Sequence, residues 1–137
     1  MSAPISSLLT SVVVAGVLMA GCSSHQPTGE VKTETVWAEA PFEVFSAEVD
    51  GDTLVTVVRY GGGCGEHLFE LEADGPLMKS LPPKQPLRWV HRSPGDPCWA
   101  LTSDTVRADL SPFRGTPHGT TVLQLEGHDG NLIYTYR

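Results

Sequence analysis

Residues 41–137 are expected to form one all-β domain, an antiparallel β-sandwich or small barrel of about seven short strands. Three observations carry this. Apolar residues recur with a period of two, turn residues interrupt them about every 8–12 positions, and no stretch of ten or more carries a helical period.

The elements follow in order. In 45–49, Phe45, Ala47 and Val49 alternate with Ser46 and Glu48, so the apolar set shares one face of a strand. The Asp-Gly pair in Asp50-Gly51-Asp52 then favours a tight hairpin. Residues 53–60 are β-branched and apolar on both faces, the pattern of a central strand. Residues 67–71 alternate again and stop at Ala73-Asp74-Gly75-Pro76. In 87–92, Leu87 and Trp89 oppose Arg88 and Arg92, and 106–110 is the cleanest period-two run in the chain. Residues 120–126 and 132–136 form a last pair around Gly127-His128-Asp129-Gly130, a second hairpin signal.

The chain before this domain reads differently. Residues 8–20 are almost uninterruptedly apolar, a run of thirteen. A helix spanning a bilayer core needs about 20 such residues, so the run fits the h-region of an export signal better than a retained membrane helix. A buried core segment fits poorly, because the run has no amphipathic period and leads into Ser-, Pro- and Gly-rich sequence. Leu18-Met19-Ala20-Gly21-Cys22 resembles the lipobox of bacterial lipoproteins. That resemblance implies a signal at 1–21 removed before Cys22, a diacylglycerol on its thiol, and attachment to a membrane of the cell envelope, the outer membrane being favoured. Residues 22–40, with Ser-Ser-His-Gln-Pro-Thr-Gly near their start, read as a flexible tether.

With Cys22 assigned to lipid, the odd count of three cysteines becomes a pair, Cys64 and Cys98. Exported domains meet an oxidising compartment, so the expectation is a disulfide that staples the β-domain.

The net charge of −7 is unevenly spread. Residues 30–74 hold eleven acids against Lys32 and Arg59, while 75–137 hold five acids against seven bases. Phosphate binding needs clustered Lys and Arg, so nucleic acid is not an expected partner.

Chemistry concentrates in Tyr60-Gly61-Gly62-Gly63-Cys64-Gly65-Glu66-His67. A phosphate cradle is not expected, since no Lys-Ser/Thr and no helix follow. Cys64 and His67 have ligand spacing, and His91 with Cys98 could complete a Cys2His2 metal set. The favoured disulfide uses the same two thiols, so no metal or other cofactor is expected, and the metal set remains the alternative. A nucleophilic Cys64 paired with His67 needs a free thiol, which the same disulfide removes. Glu70 and Glu72, two apart on one strand, read as a solvated stripe rather than an acid/base pair. His118 and His128 sit in turns without a partner signature. Trp89 is expected in the core, and Trp99 is expected to pack on the disulfide.

A second resemblance rests on ordered motifs. They are Gly61-Gly62-Gly63-Cys64-x-x-His67-x-Phe69-x-Leu71, then Asp96-Pro97-Cys98, then Val106-x-Ala108-Asp109-Leu110-Ser111-Pro112-Phe113. Together they resemble the C-terminal domain of NigD-like bacterial lipoproteins, over roughly residues 55–125. The resemblance implies a β-rich, disulfide-bonded, lipid-anchored domain and no reaction. The expected function is therefore a non-catalytic envelope module that binds a protein or an envelope polymer. The alternatives are the metal-binding protein and an inhibitor of an exogenous hydrolase. The inhibitor requires an exposed and rigid 61–65 loop, and burial of that loop against the core counts against it.

Overall fold

The strand patterns close into two sheets in the computed structural model, which describes residues 34–137. The signal expected at 1–21, Cys22 and the first part of the expected tether lie outside the described residues. Eight strands follow one another: β1 (Ala38–Glu39), β2 (Glu43–Asp50), β3 (Thr53–Gly62), β4 (Leu68–Ala73), β5 (Lys84–Ser93), β6 (Ala100–Asp109), β7 (Gly119–Leu125) and β8 (Leu132–Tyr136). A single 3-10 turn, Ser111–Phe113, precedes β7. Among the described residues no helix is long and apolar enough to cross a membrane.

The fold is all-β, with two facing sheets rather than a closed barrel. In the three-stranded sheet β3 runs between β2 and β6, the central place its two-faced apolar sequence predicts. Its even-numbered residues Leu54, Thr56, Val58 and Tyr60 point inward and are buried. The five-stranded sheet is built on β5. There β4 flanks one side, and β1 and β7 share the other, β1 at Arg92–Ser93 and β7 at 84–87.

Three local differences from the expected pattern have physical causes. First, β5 and β7 pair in parallel, so the sheet is mixed rather than antiparallel throughout. Between them β6 crosses to the other sheet, and two reversals return the chain in its starting direction. Period-two alternation carries no sign of strand direction, so this was invisible in the sequence. Second, a bulge between Val44 and Ser46 turns Phe45 outward, where it lies under the Arg59 guanidinium at 3.5 Å. Ala47 and Val49 keep their inward face. Third, Ala38–Glu39, read as tether, hydrogen-bonds onto the end of β5 as β1.

The core lies between the sheets. Leu54, Leu87, Trp89, Leu110, Leu123, Leu125, Tyr134 and Tyr136 form one buried cluster. Each fully buried leucine contributes about 1.5–3 kcal/mol by leaving water. Trp89, the expected core tryptophan, donates its indole N–H to Thr56 Oγ1 at 3.1 Å, one polar bond bridging the two sheets. At one end of the sandwich, Asp52 in the β2–β3 turn accepts from Tyr134 Oη at 2.5 Å and from Arg114 at 2.8 Å. The opposite end carries the cysteines, the glycine run and the first described residues.

Candidate functional site

At that end β3 stops at Gly62, β5 stops at Ser93, and β6 begins at Ala100. The cysteines lie just beyond the antiparallel β3–β6 ladder, whose last matched pair is Gly62 with Ala100. Cys64 and Cys98 are bonded, with Cα atoms 5.7 Å apart, inside the range that an unforced disulfide spans.

Asp96 organises the loops around the bridge. Its Oδ2 accepts from the backbone N–H groups of Gly63 at 2.7 Å, Cys64 at 3.1 Å and Gly65 at 2.9 Å. The same oxygen accepts from His67 Nε2 at 2.8 Å, while Oδ1 accepts from Cys98 N–H at 2.8 Å. Pro97 supplies no donor of its own, so the carboxylate reaches past it to the next residue. Donation from Gly65 and Cys98, followed by His67, holds the Asp96 carboxyl far below the ordinary carboxylate range.

The glycines are the space this carboxylate occupies. A Cβ at Gly62, where φ is +142°, would collide with Asp96 Oδ2 and come within 3.1 Å of His67 Nε2. At Gly65 a Cβ would come within 2.9 Å of the Gly95 carbonyl oxygen. The run is thus a close-approach surface rather than a cradle for a ligand.

Behind His67 stands His91. Its Nε2 lies 2.9 Å from His67 Nδ1, and its Nδ1 lies 3.1 Å from the Ala40 carbonyl oxygen. Both ends of this chain, Ala40 C=O and the Asp96 carboxylate, only accept. Three hydrogen bonds strung between two acceptors need three protons on two imidazoles, one more than two neutral rings carry. All three bonds are made together only when the pair holds three protons, and Asp96 is the carboxylate that faces them. Burial, and next the neighbouring His67, lower the pKa of His91. Tyr60 covers the pair, 4.4 Å from His67 and 5.1 Å from His91 between ring centroids, and Phe69 stacks on His91 at 4.2 Å.

The sign of the pH dependence follows. His91 and Asp96 both have folded-state values below their unfolded ones, so each contributes stability that is lost on acidification. Loss through His91 begins below about pH 6.5, and loss through Asp96 begins below about pH 4, the unfolded values of the two groups. Melting temperature is expected to fall in these two windows. In His91→Gln the upper window should flatten while the lower remains; an unchanged upper window would refute the assignment.

The four residues of the alternative metal set do not converge as ligands. Cys64 and Cys98 bond each other, and both nitrogens of His91 are taken by His67 and Ala40. Among the described residues, the group with ligand atoms within 4.8 Å of one another is Cys64, Asp96 and Cys98, without either histidine. Glu70 and Glu72 face solvent as a stripe, paired with Arg88 and Arg92. Trp99 departs from expectation: it does not pack on the bridge but projects outward, 98 % exposed. It directly precedes β6, in which Leu101 lies on the outward face and Thr102, Val106 and Ala108 on the inward one. Asp96 was absent from the sequence-derived candidates. An Asp-Pro step two residues before a cysteine is the signal that could have found it.

A groove of about 340 Å³ opens beside the dyad, lined by Val36, Pro41, Gly61, His67, Ser93 and Asp96 among others. In the described structure no hydroxyl hydrogen-bonds either imidazole of the dyad, and both loop thiols are bridged. Fold and site define a two-sheet β-domain with a disulfide-closed loop pinned by a buried Asp-His-His chain. No family model, no curated protein and no solved structure matches the chain.

Proposed function

We propose that this is a lipid-anchored protein of the bacterial envelope, acylated at Cys22, whose β-domain binds a protein or an envelope polymer and catalyses no reaction. The observation that carries the non-catalytic reading is the saturation of the polar cluster. Both Asp96 oxygens, three of four imidazole contacts and two thiols are engaged with one another, and the fourth imidazole contact goes to Ala40. A general base needs a free lone pair aimed at a substrate proton. Here the rings are spent on posture. The anchoring reading is supported by the lipobox pattern at 18–22 and by the resemblance to NigD-like lipoproteins.

Labelling cells with a palmitate analogue tests the anchor. Label is expected on the wild type and absent from Cys22→Ser, with the wild type in the membrane fraction; an unlabelled wild type sinks the reading.

One observation favours a second reading, inhibition of an exogenous hydrolase. Gly61, Gly63, Cys64 and Gly65 are exposed, and only Gly62 is buried, while Asp96 and the bridge hold the loop rigid. A rigid exposed loop loses little entropy on insertion into an active-site cleft.

A further inference from the structure

The loop end of the domain is apolar where a soluble domain would be polar. Trp99 is 98 % exposed, Leu101 and Val36 77 %, Leu68 44 % and Trp37 40 %. These side chains belong to one rim. Leu101 sits opposite Gly61 in the β3–β6 ladder, and Val36 lines the same groove as Gly61 and His67. Leu68 follows His67 at the start of β4, and Trp37 directly precedes β1. Trp99 follows bridged Cys98, whose N–H is held by Asp96, so the indole is presented by a fixed backbone.

We propose that the rim of Val36, Trp37, Leu68, Trp99 and Leu101 is a membrane-docking face that seats in the headgroup zone of the bilayer. The proposal rests on the reading of Cys22 as the acylated residue. What selects a bilayer as the occupant is where the chain enters the domain. Glu34 is twelve residues from Cys22, and even a fully extended chain of that length spans at most about 43 Å. It joins the domain at the rim itself, through Val36, Trp37 and β1. The chain from the anchor thus enters the domain at the rim, which makes this the end joined most directly to Cys22. Two tryptophans with an aliphatic surround suit the interface, where amphipathic rings prefer the headgroup level.

The charges define the lipid. Glu34, Glu39 and Glu66 lie exposed at the same end. Arg92, in register with Leu68 and Glu39, is spent on Glu70 and Glu72, and Arg59 rests on Phe45. Among the described residues the rim thus has apolar anchors and no free basic cluster, so it docks on zwitterionic lipid with no gain from anionic headgroups.

The test uses the full acylated protein in phosphatidylcholine–phosphatidylethanolamine vesicles whose acyl chains carry bromine, a contact quencher of tryptophan. The chain has three tryptophans, and Trp89 is buried in the core as an internal reference. Most of the emission from Trp99 is expected to be lost. Trp99→Phe should remove most of the quenchable emission, and Leu101→Asp should abolish quenching without moving the melting temperature, since its side chain is exposed. Adding phosphatidylglycerol should not increase the quenching. Mass spectrometry of the N-terminal peptide from the same sample separates the two ways to fail. An acylated Cys22 with unquenched Trp99 overturns the docking face alone. Quenching that grows with anionic lipid and vanishes with salt overturns the apolar mode. A Cys22 without acyl chains overturns the anchor and the docking face together.

Discussion

Asp96→Ala is expected to release the 61–65 loop while leaving both sheets folded. The substitution removes the common acceptor of the Gly63, Cys64 and Gly65 amides, of Cys98 N–H and of His67 Nε2. It also removes the carboxylate that faces the imidazole pair. Amide hydrogen exchange at Gly63, Cys64 and Gly65 should accelerate by on the order of tenfold or more, while exchange in β3 and β5 changes little. Asp96→Asn separates charge from geometry. Its carbonyl oxygen can still face the three loop amides, so it should exchange more slowly than the alanine variant yet lose most of the acid-window dependence. Equal exchange in wild type and Asp96→Ala would mean that the loop is held by the bridge alone.

The second large effect belongs to the bridge. Cys64→Ser/Cys98→Ser opens a loop of 34 residues' separation. On the chain-entropy account this costs about 3–4 kcal/mol, a large part of the net stability of a domain this size. For about 100 ordered residues that loss lowers the melting temperature by roughly 12–30 °C. Both cysteines are replaced together, because a single serine leaves a reactive thiol on an exposed loop. Cys64 is exposed, so dithiothreitol should reproduce the shift in the wild-type protein and have no effect on the double variant. A melting temperature unmoved by either treatment would refute a net contribution of the bridge to stability.

Much of this molecule is legible in its sequence, and the illegible parts share a cause. Alternation and β-branched runs located β2 to β8, β6 only in its second half, and cysteine parity located the bridge, because these patterns are readable without knowing which segments meet. Residues 132–136 match β8 end to end. What alternation cannot encode is relation between segments. The parallel β5–β7 pairing depends on which sheet β6 joins, and the start of β5 at Lys84 was hidden by Pro86, which reads as a strand breaker. In the fold Pro86 needs only its carbonyl, which accepts from Asp74 N–H at 3.0 Å. The site divides in the same way. Cys64, His67, His91 and Cys98 were found as residue types with suggestive spacing. Their partners Asp96 and Ala40 were not, because a carboxylate that satisfies backbone amides leaves no periodic trace. Trp99 misled for the same reason: adjacency to a cysteine says nothing about which side of the strand an indole leaves from.

The position of the bridge also bears on how the chain finds its fold. The β3–β6 ladder pairs residues from Thr53 with Asp109 to Gly62 with Ala100, one of the most distant matches in the domain. Forming it from an open chain means closing a long loop before any pairing repays the lost entropy. Once Cys64 and Cys98 join, two residues beyond Gly62 and Ala100, the same ladder becomes a hairpin with a covalent tip. Pairing can then zip outward from the bridge, one neighbour at a time, towards Leu54 and Ala108. Once the bridge is closed, pairing along this ladder proceeds through local contacts. Refolding with the bridge intact should outpace refolding of the reduced chain by far more than the stability difference alone requires.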